Sequence, residues 1–148
     1  MNLPVPSSDP LLPIDELGNA ITGLCARMNA ENYELLTLIR QFDERLGWLP
    51  WGFPTCAAWL HWKCDFSPQA AREKVRIAHA LKELPEISEA FAKGVLSYSK
   101  VRALTRVADA LNEAELLAFA MTTTAARLEE RCRQMRNTQS VSTRDANR

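Results

Sequence analysis

At 148 residues, 47% apolar and 24% charged, the chain is long enough for one domain with a real core and too apolar to be disordered. Eighteen Lys and Arg balance eighteen Asp and Glu, which excludes a strongly basic nucleic-acid binder. No apolar run reaches the roughly 18 residues that would cross a membrane, so no membrane partner is expected.

The opening MNLPVPSSDPLLP has neither a basic start nor an apolar core, so it does not read as a secretory signal, and a cytoplasmic location is expected. Residues 1–14 carry four prolines and little periodicity, which predicts a flexible leader. From Asp15 to about Gly47, Leu17, Ile21, Leu24, Cys25, Met28, Tyr33, Leu36, Ile39 and Leu46 recur at three- and four-residue spacing. That predicts one long helix, with a weak point at Asn29 to Asn32. Gly47, Pro50, Gly52 and Pro54 then make a loop, and Thr55 caps a short second helix holding Trp59 and Trp62. Ser67 as N-cap with Pro68 behind it opens a third helix, whose apolar stripe is Ala71, Val75, Ala78 and Leu81. Pro85 ends it. A fourth helix spans about Glu86 to Lys93 and stops at Gly94, a natural position for left-handed backbone. Ser97 or Ser99 opens a fifth helix, Asn112 with Glu115 a sixth, and Thr123 or Thr124 a last one toward Met135. Residues 137–148 read as a polar, disordered tail. Nothing reads as a strand.

The expected fold is therefore all-α, a compact multi-helical domain over 15–136 with a long first helix. Helices two and three, and then four and five, form two helix-turn-helix-like pairs. Trp59, Trp62, Ser67, Pro68, Gly94 and Ser97 are expected to be structural. The four cysteines, at 25, 56, 64 and 132, lack a CxxC pair and read as buried thiols. Cys56, His61 and Cys64 do not converge on a helix, so neither a metal nor any other cofactor is expected. The nucleotide-binding and hydrolase motifs are absent, as is a histidine in catalytic spacing, so no enzymatic activity is expected.

The charge balance hides an asymmetry. Residues 1–66 hold four basic against eight acidic residues, a net of −4, while residues 67–148 hold fourteen against ten, a net of +4. Arg72, Lys74 and Arg76 flank the third helix, and Lys100, Arg102 and Arg106 the fifth. Spaced about one helical turn apart, they are candidate contacts to the phosphates of double-stranded DNA.

The ordered set from Trp59 and Leu60, through Ser67, Ala71, Arg72, Val75, Arg76 and Ala78, to Leu84 and Pro85 carries a resemblance. So do Ala90, Phe91, Gly94, Leu96 and Ser97, and then Ser99, Lys100, Val101, Arg102 and Leu104. Over roughly residues 15–136 the chain resembles domain of unknown function 222, the helical N-terminal domain of bacterial proteins in the 13E12 repeat family, commonly followed by an HNH endonuclease domain. The resemblance implies association with DNA-directed enzymes and a nuclease domain as partner. No His-Asn-His arrangement occurs here, so the nuclease's chemistry is not carried onto any residue of this chain. Two functions follow as expectations. One is a non-catalytic DNA-binding or DNA-positioning module; the other is a protein-interaction or oligomerisation module, with the long helix pairing in a homodimer and no nucleic-acid contact.

Overall fold

The computed structural model describes residues 11–146. Its seven α-helices are α1 (Ile14–Glu44), α2 (Cys56–Cys64), α3 (Pro68–Ala80), α4 (Pro85–Ala92), α5 (Tyr98–Leu104), α6 (Glu113–Ala120) and α7 (Ala125–Ala146), with no strand among the described residues. Short 3-10 turns sit at Leu49–Trp51 and Leu81–Glu83. The expected leader falls mostly on residues 1–10, outside the described residues.

Local chemistry sets most boundaries. Thr55, Ser67 and Ser97 each accept a hydrogen bond from the backbone N–H three residues on, at 3.0, 3.1 and 3.2 Å, and so open α2, α3 and α5. Thr124 does the same for α7. Gly94 closes α4 with φ +82°, its N–H donating to Phe91 O and that of Val95 to Ala90 O, which is the Schellman arrangement. α1 ends earlier than expected, at Glu44, because Leu46 takes a left-handed φ of 54° while Gly47 N–H returns to Phe42 O.

Several expectations are corrected. α1 runs unbroken through Asn29 and Asn32, and Asn29 instead donates its side-chain amide to Gly94 O at 3.1 Å. α7 continues to Ala146 where a disordered tail from residue 137 was expected; neither glycine nor proline follows Pro85 and Gly94 to interrupt it. Asn112 does not cap α6, because its side chain is spent on Asp109 N–H and Val107 O. Trp62 is not structural core but 73% exposed. On the nine-residue α2 it is Cys56 and Leu60 that turn inward, with Trp59 beside them. Only Cys56 and Cys132 are buried, while Cys25 and Cys64 are exposed.

The core is centred on Phe91, fully buried and meeting the edge of Tyr33 at 5.9 Å. Around it lie Leu36 and Ile39 of α1, Ile77 of α3, Ile87 of α4, Leu104 of α5, Leu116 of α6 and Leu128 of α7. Burying a side chain of this size contributes about 1.5–3 kcal/mol, so this cluster is the main force holding the helices together. α1 packs along α3 and α4, and α5 lies centrally against α3, α4, α6 and α7. Asp43 ties the 3-10 loop into this frame: Trp48 Nε1 donates to Oδ1 at 2.9 Å, and His79 Nε2 meets Oδ2 at 2.6 Å.

Candidate nucleic-acid interface

The six basic positions, three on α3, two on α5 and Arg106 in the turn just past it, divide by what their charges touch. Lys100, half-buried, donates Nζ to Ala120 O at 2.6 Å and so satisfies a carbonyl at the end of α6. Lys74 lies 4.2 Å from the ring centre of Tyr98 and 4.9 Å from that of Phe66. Burial pushes its pKa below the ordinary lysine value. Both ammonium groups are thus engaged within the fold. Each joins two elements.

Arg76 and Arg106 converge on Glu73. Arg76 Nε is 2.7 Å from one carboxylate oxygen and Arg106 a 2.5 Å contact on the other. Arg76 also donates to Thr105 Oγ1 and Arg102 O, both at 3.3 Å, so it clamps α3 to the end of α5. The hydrogen bond from Arg76, joined by the charge of Arg106, holds the Glu73 carboxyl below the usual carboxylate value, against the opposing pull of burial. A carboxylate whose folded pKa is depressed stabilises the fold above its ordinary pKa of 4.5, and that contribution is lost as pH falls through the lowered value. Glu73→Gln is therefore expected to lower the urea midpoint at neutral pH, and the deficit to shrink toward zero as pH falls through the depressed value of Glu73. A deficit that stays constant however far the pH is lowered would show that the carboxylate charge is not what matters.

Arg102 and Arg106 also form one wall of a cleft of about 100 Å3 between α5 and α7, with Ala103 between them. Glu129, Cys132, Arg133 and Arg136 form the other wall, on one face of α7 because they are spaced three, four and seven residues apart. Arg102 reaches Glu129 at 3.7 Å, and Arg133 pairs with Glu130. Arginine outnumbers carboxylate four to one on the lining. Cys132 at the floor is not a poised nucleophile, since burial raises its thiol pKa despite Arg136 and Arg131 nearby. Arg133 and Arg136 stand outside the six positions expected from the sequence; their signal is the helical face they share with Glu129.

Arg72 is exposed but faces α2, beside Thr55, Ala57, Ala58 and His61. The helix-turn-helix expectation also meets a geometric limit. A recognition helix needs a free face, whereas α5 is only seven residues long and exposes just Ser99 and Arg102. Of Trp51 and Trp62, both largely exposed, Trp51 carries Lys63 at 4.7 Å over its ring. Burial, with help from Asp43 and Cys64, pushes the Cys56 thiol up to about 11, while His61 Nδ1 lies 2.7 Å from Phe66 O. No group of three His, Cys, Asp or Glu among the described residues is placed to hold a metal ion. None of their helices is long and apolar enough to cross a membrane.

The molecule is thus an all-α domain in which most polar side chains of the interior cap helices or tie them together, leaving an arginine-lined cleft and a long, half-free first helix at the surface. The model of the family described as domain of unknown function (DUF222) matches residues 21–145, and the chain belongs to that family. No curated protein and no solved structure matches it.

Proposed function

We propose that this domain is a non-catalytic DNA-positioning module that grips backbone phosphates in the cleft between α5 and α7. The observation that carries the reading is the convergence of Arg102, Arg106, Arg133 and Arg136 on one cleft. Guanidinium groups match phosphate oxygens in a planar, two-pronged geometry, which suits them to this task better than lysine. The pairs of Arg102 with Glu129 and of Arg133 with Glu130 are exposed, and exposed pairs are worth only about 0–1 kcal/mol, so a phosphate displaces either carboxylate at little cost, while Arg106 stays on the more buried Glu73 and adds its charge to the cleft wall. With zero net charge the whole chain supplies little long-range attraction, which suits holding a duplex locally for a catalytic partner. An HNH endonuclease domain, which the family resemblance implies, is the partner of that kind.

Fluorescence anisotropy on a short duplex, repeated across salt concentrations, tests the reading. Affinity is expected to fall as salt rises, and Arg106→Ala with Arg133→Ala to flatten the log–log slope by about 0.9 for each phosphate no longer neutralised. Arg72→Ala, remote from the cleft, is expected to leave the slope alone. A slope unmoved by the paired substitution, or no duplex binding at low salt, would remove the proposal. A second reading, assembly with protein and no nucleic-acid contact, is favoured by the apolar residues left bare along α1.

A further inference from the structure

We infer that two copies of this chain pair antiparallel through α1, the first half of each α1 lying in an apolar groove of the other. The inference rests on the assembly reading of α1 and is independent of DNA contact. α1 is 31 residues long, but its buried residues, Leu36 and Ile39, both lie in its second half. The first half exposes Ile14 (80%), Leu17 (42%), Ile21 (56%), Leu24 (49%) and Met28 (53%). These follow one another at alternating spacings of three and four, the seam of a coiled coil, and the same rhythm continues through Glu31 to Leu35, Leu38 and Phe42. The seam lies to one side of the face that meets α3 and α4 through Asn29 and Leu36.

Residues 14–22 of the helix are all exposed, so packing within the chain adds little there. Gly18 and Gly23 each weaken this stretch by about 1 kcal/mol, so it extends from the packed half of α1 against local propensity. A cover over the seam supplies what local propensity lacks. In the second half of α1, Leu35, Leu38, Ile39 and Phe42 form an apolar groove of about 380 Å3 with Trp59 and Leu60 of α2. Seam and groove lie end to end on one helix, so a two-fold axis between them matches each to the other's counterpart.

The register follows from the pattern. With Met28 opposite Glu31 near the axis, Leu24 falls opposite Leu35, Ile21 opposite Leu38 and Leu17 opposite Phe42, along about 39 Å of helix. The charges agree with it. Arg27 comes beside Glu34 of the second copy, and the acidic first turn, Asp15 and Glu16, beside Arg45. All five side chains are exposed, and none has an ion-pair partner among the described residues. A parallel pair would set Glu31 on Glu31 and acidic turn on acidic turn. Charge complementarity therefore selects a second copy, antiparallel.

Sedimentation of the full chain over a wide concentration range, with Cys25→Ser and Cys64→Ser to remove the exposed thiols, is expected to show a dimer. Ile21→Glu places an unpaired charge in the seam and is expected to weaken dimerisation at least about a hundredfold. Leu111→Glu, at a bare apolar residue in the connection before α6, is expected to leave it unchanged. In that background, a mixture of Ile21→Cys and Leu38→Cys chains is expected to form an intermolecular disulfide that neither chain forms alone. A monomer at every concentration overturns the second copy as occupant. Disulfides formed by each variant alone overturn the antiparallel register. A dimer indifferent to Ile21→Glu overturns both the inference and the reading of α1 as the assembly surface.

Discussion

Replacing Gly94 with alanine is expected to lower the stability of the fold by about 3 kcal/mol or more, and the melting temperature by roughly 6–12 °C for a domain of this size. Two costs add at this one position. The backbone adopts φ +82°, where a Cβ costs about 1–2 kcal/mol. That Cβ would also stand 2.3 Å from the carbonyl oxygen of Ala26, an atom of the α1 backbone and not a side chain that can swing aside. Relief requires α1 to move off the end of α4, which breaks the hydrogen bond from Asn29 to Gly94 O. Gly94→Asn separates the two costs, because asparagine tolerates left-handed backbone yet still carries a Cβ. It is expected to regain only the conformational part. Thermal unfolding of the three chains measures this, and a parent-like midpoint for Gly94→Ala would show that α1 is not seated on the glycine.

That glycine illustrates what was legible in the sequence. Its position after Phe91 and before Leu96 announced a helix stop, and the serines and threonine at 55, 67 and 97 announced starts, because caps act on N–H groups only three residues away. The close approach to Ala26 was not legible, since it depends on how α1 crosses α4. The same division runs through the charged residues. Periodicity placed Arg76, Lys100 and Arg102 on helix faces, whereas Arg106, expected on the fifth helix, lies in the turn after Leu104. The pattern carried no information on Glu73, thirty-three residues before Arg106, or on the carbonyl of Ala120 that takes Lys100. A helix surface and a helix junction look alike in one dimension. The apolar residues of α1 show the converse: three- and four-residue spacing marks a stripe that wants cover, and leaves open whether the cover comes from the same chain.

The arginine cleft and the apolar seam lie on different helices. The arginines gather between α5 and α7, whereas the seam occupies α1 in the acidic half of the chain. If each cleft takes phosphate as proposed, two such sites on one two-fold particle would bind a duplex more tightly than either alone. The anisotropy and sedimentation experiments then become linked: Ile21→Glu should weaken duplex binding without touching a basic residue, if the two surfaces work in one assembly.

Removal of the Glu113 carboxylate is the second change expected to be costly, although no local motif marks this residue as important. Glu113 is 4% exposed, and Oε2 accepts the backbone N–H of Ile87 at 2.9 Å. Ile87 is the third residue of α4, whose preceding residue, Leu84, has no side chain able to cap it. A carboxylate from α6, twenty-six residues away, therefore serves as the cap that the sequence around Pro85 lacks, and its charge complements the positive end of the helix dipole. Glu113→Ala leaves that buried N–H without a partner and opens a void between α4 and α6. The expected loss is about 2–3 kcal/mol, read from the urea midpoint at neutral pH. Glu113→Gln keeps an acceptor oxygen but no charge, and is expected to lose about half as much. Native-state hydrogen exchange gives the sharper reading: the amide of Ile87 should lose protection in Glu113→Ala by more than those of α2, which lies outside this contact. Equal losses throughout would make Glu113 a general contributor to the core, whereas a loss centred on α4 identifies it as the residue that starts the helix on which α1 rests.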